Sequence, residues 1–303
     1  MNEQFLSALQ AENLPVSLDE SLGRHTTFRI GGNADFFCVP ATVTQLTRIL
    51  ELCRQYQVRT YLLGNGSNTL FSDAGFGGAV ICLTGLNSRF SMQAQPDGST
   101  KVLAPAGMML SALCNTAQKE SLAGLEFAFG IPGTVGGAVY MNAGAYGGEM
   151  KQIVESVTVL TMGGEEKMLS GEESAFAYRT SVYQTLPCVI VKAVLRLQPG
   201  DPETIGQTMR TLMKKRKASQ PLELPSAGST FKRPTGYFAG PLIEQAGLKG
   251  CGVGGAEVAK KHAGFIVNTG GATAEDIKKT IAMVQSRVWE TSGVRLEPEV
   301  RIW

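Results

Sequence analysis

The chain has 303 residues, of which 43% are hydrophobic, enough for more than one domain with its own core, and disorder is excluded. Its 28 lysines and arginines nearly balance 26 acidic residues, a net charge of +2 that lacks the basic excess demanded by a phosphate backbone, so nucleic acid is a poor partner. Cys38, Cys53, Cys82, Cys114, Cys188 and Cys251 stand singly with no Cys-x-x-Cys pair, which predicts reduced thiols in a cytosolic protein. Met1 to Phe5 show no basic segment leading into an apolar stretch, and no run of about 18 apolar residues occurs, so neither secretion by that route nor a membrane span is expected.

In chain order, Leu46, Ile49, Leu50 and Cys53 recur at helical spacing and predict an amphipathic helix, followed by a strand at Tyr61-Leu62-Leu63. A glycine loop, Gly64-Asn65-Gly66-Ser67-Asn68, comes next, then a second strand from Ala79 to Leu83. Leu110, Leu113, Cys114 and Ala117 mark another helix ahead of a long glycine region, Gly130 to Gly148. Strands are predicted over Val154 to Leu160 and Val189 to Leu197. Turn formers cluster at Pro199-Gly200-Asp201-Pro202, the best domain boundary, and Ile205, Met209 and Leu212 begin a new helical pattern. Thr273 and Asp276 have capping-box spacing before a core stripe of Ile277, Ile281, Val284 and Val288, with Gly293 as the stop. The last segment alternates, Val294, Leu296, Val300 and Ile302 on one face and Arg295, Glu297, Glu299 and Arg301 on the other, and Pro298 predicts an edge strand.

The two glycine regions could let main-chain N–H groups approach a phosphate-bearing cofactor, or could be a plain turn and a tight packing loop. The first does not complete a Rossmann fingerprint, because Thr69 stands where the third glycine belongs and no helix follows. Tyr178-Arg179 could be a surface ion-pair segment. Ser229 has no G-x-S-x-G context for a hydrolase nucleophile. Glu299 beside Arg301 could be an exposed ladder pair, and Lys214-Lys215-Arg216-Lys217 suits a solvated helix end. The only histidines, His25 and His262, lie far apart, which argues against a metal site or a Ser-His-Asp triad.

Taken in order, Thr26-Thr27-Phe28-Arg29-Ile30-Gly31-Gly32, the loop Gly64 to Asn68, Gly130-Ile131-Pro132-Gly133, Asn142-Ala143-Gly144-Ala145-Tyr146-Gly147, Tyr178-Arg179, Ala227-Gly228-Ser229 and Leu296-Glu297-Pro298-Glu299-Val300-Arg301 resemble one family. It is UDP-N-acetylenolpyruvoylglucosamine reductase, also called UDP-N-acetylmuramate dehydrogenase. The resemblance runs from about residue 20 to the C-terminus. It implies an α+β protein: a vanillyl-alcohol-oxidase (PCMH)-type FAD-binding domain over residues 1–198, of two subdomains meeting near 75–85, and an α+β substrate-binding domain over 199–303 whose last strand, 294–303, reaches the active site. Only a short link, Thr230 to Pro241, separates Ser229 from Leu242, so the chain resembles the shorter (type II) branch, without the insertion that carries a covering tyrosine. Ser67 stands where some members of the wider superfamily have a histidine bonded to the flavin, so the FAD is expected to be non-covalent.

The resemblance further implies a cytoplasmic enzyme of peptidoglycan precursor synthesis that uses NADPH, through FAD, to reduce the enolpyruvyl ether of UDP-N-acetylglucosamine enolpyruvate to UDP-N-acetylmuramate. Hydride would come from FAD N5 and a proton from Ser229. Arg179 would bind the substrate carboxylate, and a protonated Glu299 would stabilise the enolate, a role that requires a raised pKa. FAD would lie against Gly64, Asn65, Gly66, Ser67 and Asn68, against Gly130, Ile131, Pro132, Gly133, Gly136, Gly137 and Ala138, against Asn142, Ala143, Gly144, Ala145 and Tyr146, and against Arg301. Tyr178, Arg216, Gly228, Arg233 and Gln245 would contact the UDP-sugar. No metal and no obligate protein partner is implied. A related FAD-dependent oxidase and a non-catalytic flavin or UDP-sugar sensor stay open alternatives, separated from the reductase by NADPH turnover that depends on the enolpyruvyl sugar.

Overall fold

Seven α-helices form among the described residues of the computed structural model, which describes residues 2–86 and 89–303. They are α1 (Glu3–Ala11), α2 (Val43–Gln55), α3 (Leu110–Lys119), α4 (Val135–Tyr140), α5 (Pro202–Ser219), α6 (Ala239–Gln245) and α7 (Ala274–Ser292). α2 and α3 follow from apolar spacing: Leu46, Ile49 and Cys53 are buried with Leu52 on α2, and Leu110, Leu113, Cys114 and Ala117 on α3. α7 shows both of its predicted ends. Thr273 accepts the Asp276 N–H, the Asp276 carboxylate takes the Thr273 N–H in return, and Gly293 closes the helix at φ 67°.

Contacts divide the chain into two compact units, and neither is continuous in sequence. The first comprises Met1–Leu18, Phe36–Asn65 and Gly78–Lys215; the second comprises Asp19–Asp35, Gly66–Gly77 and Arg216–Trp303. In the first, Thr60–Leu63 pairs in parallel with the strand Phe76–Cys82, Thr60 opposite Ala79 and Leu63 opposite Cys82. α1 and α2 bury Phe5, Leu9, Leu46 and Ile49 with Phe36 and Ile81 in one core. A larger antiparallel sheet runs in the order Glu166–Ser170, Val154–Thr161, Cys188–Pro199, Thr100–Pro105, Ser91–Ala94, and Leu122–Ala123 pairs with the far end of its longest strand. α3, α4 and the start of α5 contribute Leu113, Val139, Ile205 and Met209 to the core on that sheet. The helix that opens after Pro199-Gly200 thus begins as part of the first unit's core.

The second unit packs α6 and α7 with a small antiparallel sheet of Gly252–Val253, Ala256–Val258 and Ile266–Asn268, burying Ile243, Val258, Ile277 and Val284 with Phe28 and Leu70. Here the C-terminal segment departs from the expected continuous strand. Leu296 and Val300 are buried as the alternation requires, but only Arg301–Ile302 pairs as a strand, in parallel with Thr69–Leu70, and Ile302 is 42% exposed. The cause is Pro298, which has no N–H to donate. Pairing falls to its neighbours: the Lys232 N–H donates to the Glu297 carbonyl at 2.9 Å and the Glu299 N–H to the Thr230 carbonyl at 2.7 Å, before the chain changes partner to Asn68–Leu70.

All six cysteines are free thiols. Burial pushes Cys38 and Cys114 up to about 12 and Cys53 to about 11, so these three behave as small apolar side chains.

Candidate active site

The first glycine loop divides between the two units. In the first unit, the Asn65 side-chain amide donates to the Pro132 carbonyl at 2.9 Å, and a Cβ on Gly64 would stand 2.8 Å from the Thr134 hydroxyl. The start of one glycine region is thereby seated on the other. In the second unit, Gly66 has φ +60° and a Cβ there would meet the His25 carbonyl at 2.0 Å, while the Thr27 N–H donates to the Gly66 carbonyl. At Gly66 glycine is required by approach of the protein's own backbone, and at Gly64 it is the Thr134 side chain that leaves no room for a Cβ.

The second glycine region, expected as an irregular stretch, is a helix followed by a hairpin. Thr134, 2% exposed, caps α4 by accepting the Gly137 N–H at 3.2 Å. Gly136 lets α4 approach Ala106, whose Cβ would lie 2.9 Å from a Cβ at 136. Gly144–Ala145 then pairs with Gly148–Glu149 around Tyr146 and Gly147, both at positive φ, the two-residue turn that matches strand twist. Asn142, 1% exposed, has a fully used side chain: its amide donates to Glu149 at 2.9 Å and to the Ala177 carbonyl at 3.0 Å, and its oxygen accepts the Lys151 N–H at 2.9 Å.

The residues present fit FAD in one respect that can be read directly. A Cβ on Gly137 would meet only the Thr134 hydroxyl, at 3.4 Å, and one on Gly147 would meet nothing within 4 Å, so these two glycines leave open ground where the neighbouring ones are packed. At these two positions the protein itself leaves the main chain open to close approach.

Arg179 lies in the first unit, in the two-residue turn of a hairpin closed by Ala177 and Thr180. Its guanidinium donates to the Gly144 carbonyl at 3.2 Å and sits 5.3 Å from the centre of the Tyr178 ring, which is 51% exposed. Ser229 and Glu299 lie in the second unit, where the structure brings them together through main chain. The Glu299 N–H is bonded to Thr230, the residue after Ser229, and Thr230 is itself fixed by donating to the Gly264 carbonyl at 2.8 Å and accepting the Ile266 N–H on its hydroxyl at 3.0 Å. On its other side Glu299 is held by Asn68, whose amide donates to the Glu299 carbonyl at 3.1 Å, while the Asn68 carbonyl accepts the Arg301 N–H at 3.0 Å. Ser229 is exposed and Glu299 half-buried, so both are reachable.

Of the expected sugar contacts, Arg216 is 7% exposed near the end of α5 and donates to Gln220 at 3.2 Å, unlike its solvated neighbours Lys215 and Lys217. Arg233 lies 3.9 Å over the Phe238 ring, on a link whose turn is closed by the Tyr237 N–H and the Pro234 carbonyl with Gly236 at φ 79°. Gly228 has φ 76° with open space around it, and Gln245 is exposed at the end of α6. Sequence reasoning missed Thr134 and Thr230, which hold α4 and Glu299. Only Thr134 carried a signal, a hydroxyl residue directly before an apolar position.

Residues 34–170 match an FAD binding domain, and residues 220–303 match the C-terminal domain of UDP-N-acetylenolpyruvoylglucosamine reductase. The UDP-N-acetylenolpyruvoylglucosamine reductase of Geobacillus thermodenitrificans is 48% identical over 95% of this chain and 92% of its own length; that of Caldanaerobacter subterraneus is 46% identical over 94% and 92%. The crystal structure of the Thermus caldophilus enzyme, 34% identical, superposes with a TM-score of 0.77 over 96% of this chain and 98% of its own. Fold and matched domains define the class as an α+β protein with an FAD-binding domain. Within that class, the chain belongs to the UDP-N-acetylenolpyruvoylglucosamine reductase family.

Proposed function

We propose that this chain reduces the enolpyruvyl ether of UDP-N-acetylglucosamine enolpyruvate to the lactyl ether of UDP-N-acetylmuramate, with NADPH as reductant and non-covalent FAD as cofactor. The observation that carries the reading, beside family membership, is the 2.7 Å bond from the Glu299 N–H to the Thr230 carbonyl, which sets the main chain of Glu299 against the residue that follows Ser229. Bound FAD supplies hydride transfer between nicotinamide and the substrate's methylene carbon. Arg179 binds the substrate carboxylate, on which negative charge develops as that carbon accepts hydride. Glu299, protonated, donates a hydrogen bond to the enolate. Ser229 delivers the proton to the second carbon, which completes reduction of the C=C bond.

In this reading residues 1–198 serve FAD and also bring Tyr178 and Arg179 to the substrate, and 199–303 serve the substrate. Gly137 and Gly147 admit the cofactor, and Tyr178, Arg216, Gly228, Arg233 and Gln245 meet the UDP-sugar. No helix among the described residues is long and apolar enough to cross a membrane, and a cytoplasmic location in peptidoglycan precursor synthesis accords with the proposed substrate. The test is oxidation of NADPH by the purified holoprotein with and without the enolpyruvyl UDP-sugar: turnover only with the sugar is expected, and NADPH consumption indifferent to it would favour an oxidase.

A further inference from the structure

The Tyr178-Arg179 pair occupies the two central positions of a tight turn, the Ala177 and Thr180 main chains bonding to each other at 3.0 and 3.1 Å. Arg179 has φ +53°, in the left-handed region, while Tyr178 does not. A turn with positive φ at its second central residue ordinarily takes glycine there, and a side chain bearing Cβ is strained. Local preference and the residue present disagree, a conflict that marks sites where conformation has been fixed by the surroundings.

What fixes it is visible in the first unit. The Gln184 side-chain amide donates to the Arg179 carbonyl at 2.9 Å and to the Tyr140 carbonyl at 3.0 Å. The Tyr140 carbonyl also accepts the Ser181 hydroxyl at 2.7 Å, and the Ala177 carbonyl accepts the Asn142 amide at 3.0 Å. The turn is therefore pinned to the end of α4 on both of its sides, and the bond that acts on residue 179 itself comes from Gln184. The guanidinium then reaches the Gly144 carbonyl on the neighbouring hairpin. We infer that Gln184 is a positioning residue: it holds Arg179 in its left-handed turn and so aims the guanidinium at the carboxylate of the substrate. The inference rests on the functional reading above, and it deepens that reading by assigning carboxylate recognition to a residue that does not touch the ligand.

The experiment compares two UDP-sugars that differ in the carboxylate, binding to the oxidised holoprotein by calorimetry. UDP-N-acetylmuramate carries the lactyl carboxylate and UDP-N-acetylglucosamine does not. Gln184→Leu keeps a side chain of similar bulk and removes both donated hydrogens. It is expected to weaken UDP-N-acetylmuramate binding by about tenfold, the scale of a displaced charged contact, and to leave UDP-N-acetylglucosamine binding within about twofold. Hydrogen exchange over 174–184 should rise in the same variant, with α7 unchanged. Equal weakening of both ligands, or of neither, would overturn the inference while the wild-type protein still turns over. A wild-type protein that neither binds the two sugars nor turns over would overturn the functional reading and this inference together. Should Gln184→Leu not fold, Gln184→Glu preserves the shape, cannot donate at neutral pH, and gives the same comparison.

Discussion

The side-chain amide of Asn68 donates to the main-chain carbonyl of Glu299 at 3.1 Å, joining two residues 231 positions apart. With the Arg301 N–H on the Asn68 carbonyl, this leads into the parallel pairing of Thr69–Leu70, the strand that follows the glycine loop, with Arg301–Ile302 in the second unit. Asn68→Asp removes the donor and sets a carboxylate against a carbonyl. It should lower stability by about 1–2 kcal/mol, read as a lower urea midpoint at unchanged slope. An unshifted midpoint would mean that the amide bond contributes nothing.

Ser229→Ala should split the catalytic cycle. Reduction of the bound flavin by NADPH needs no proton from this hydroxyl and should proceed at near wild-type rate in stopped-flow absorbance. Reoxidation by the enolpyruvyl UDP-sugar should slow by roughly 10²- to 10⁴-fold, about 3–5 kcal/mol of barrier. Equal slowing of both halves would remove Ser229 as the proton donor.

Arg179→Gly should separate stability from activity. Relief of a left-handed non-glycine residue is worth about 1 kcal/mol and is opposed by the greater freedom of glycine in the unfolded chain, so the melting temperature should hold or rise slightly. Oxidation by the enolpyruvyl sugar should be lost. Arg179→Val, branched at Cβ in the same conformation, should lower the melting temperature, and a fall of equal size for Gly and Val would show that no strain is stored there.

His262 packs edge-on against Phe265 and accepts the Gly264 N–H on Nδ1 at 3.1 Å. Burial holds its pKa below the ordinary 6.5, with nearby Lys249 pushing the same way and Glu244 opposing. The unfolded chain therefore binds the extra proton first as pH falls. The stability that neutral His262 contributes is complete above about pH 6.5 and is lost as pH drops toward its folded value. Urea titrations of wild type and His262→Phe across that window should show a steeper acid-side decline in the wild type; parallel curves would contradict the assignment.

What was legible in the sequence is what local rules specify. α7 could be read from Thr273, Asp276, Gly293 and four apolar residues because a helix carries its caps and its stripe within its own span. α4 could not: Gly136 and Gly137 are poor helix formers, and Gly136 is there because Ala106, thirty positions upstream, needs the space. The pairing of Thr69–Leu70 with Arg301–Ile302 joins opposite ends of the chain and leaves no local pattern. For the site, ordered motifs named Arg179, Ser229 and Glu299, yet the parts that hold them are scattered. Thr230 shows only as the neighbour of Ser229, and Gln184 lies five residues past Arg179 with no periodicity that would single it out. A residue that acts by holding another residue's backbone leaves little trace in composition or spacing.

The central claim is tested most directly by single-turnover reduction of UDP-N-acetylglucosamine enolpyruvate with NADPH under anaerobic conditions, followed by the flavin absorbance and by mass analysis of the sugar. The account predicts a protein whose FAD is released by acid, whose flavin band bleaches with NADPH and returns on addition of the enolpyruvyl sugar, with one UDP-N-acetylmuramate formed per flavin. A flavin that is reduced by NADPH but stays reduced when the sugar is added, and is reoxidised only by oxygen, would contradict it.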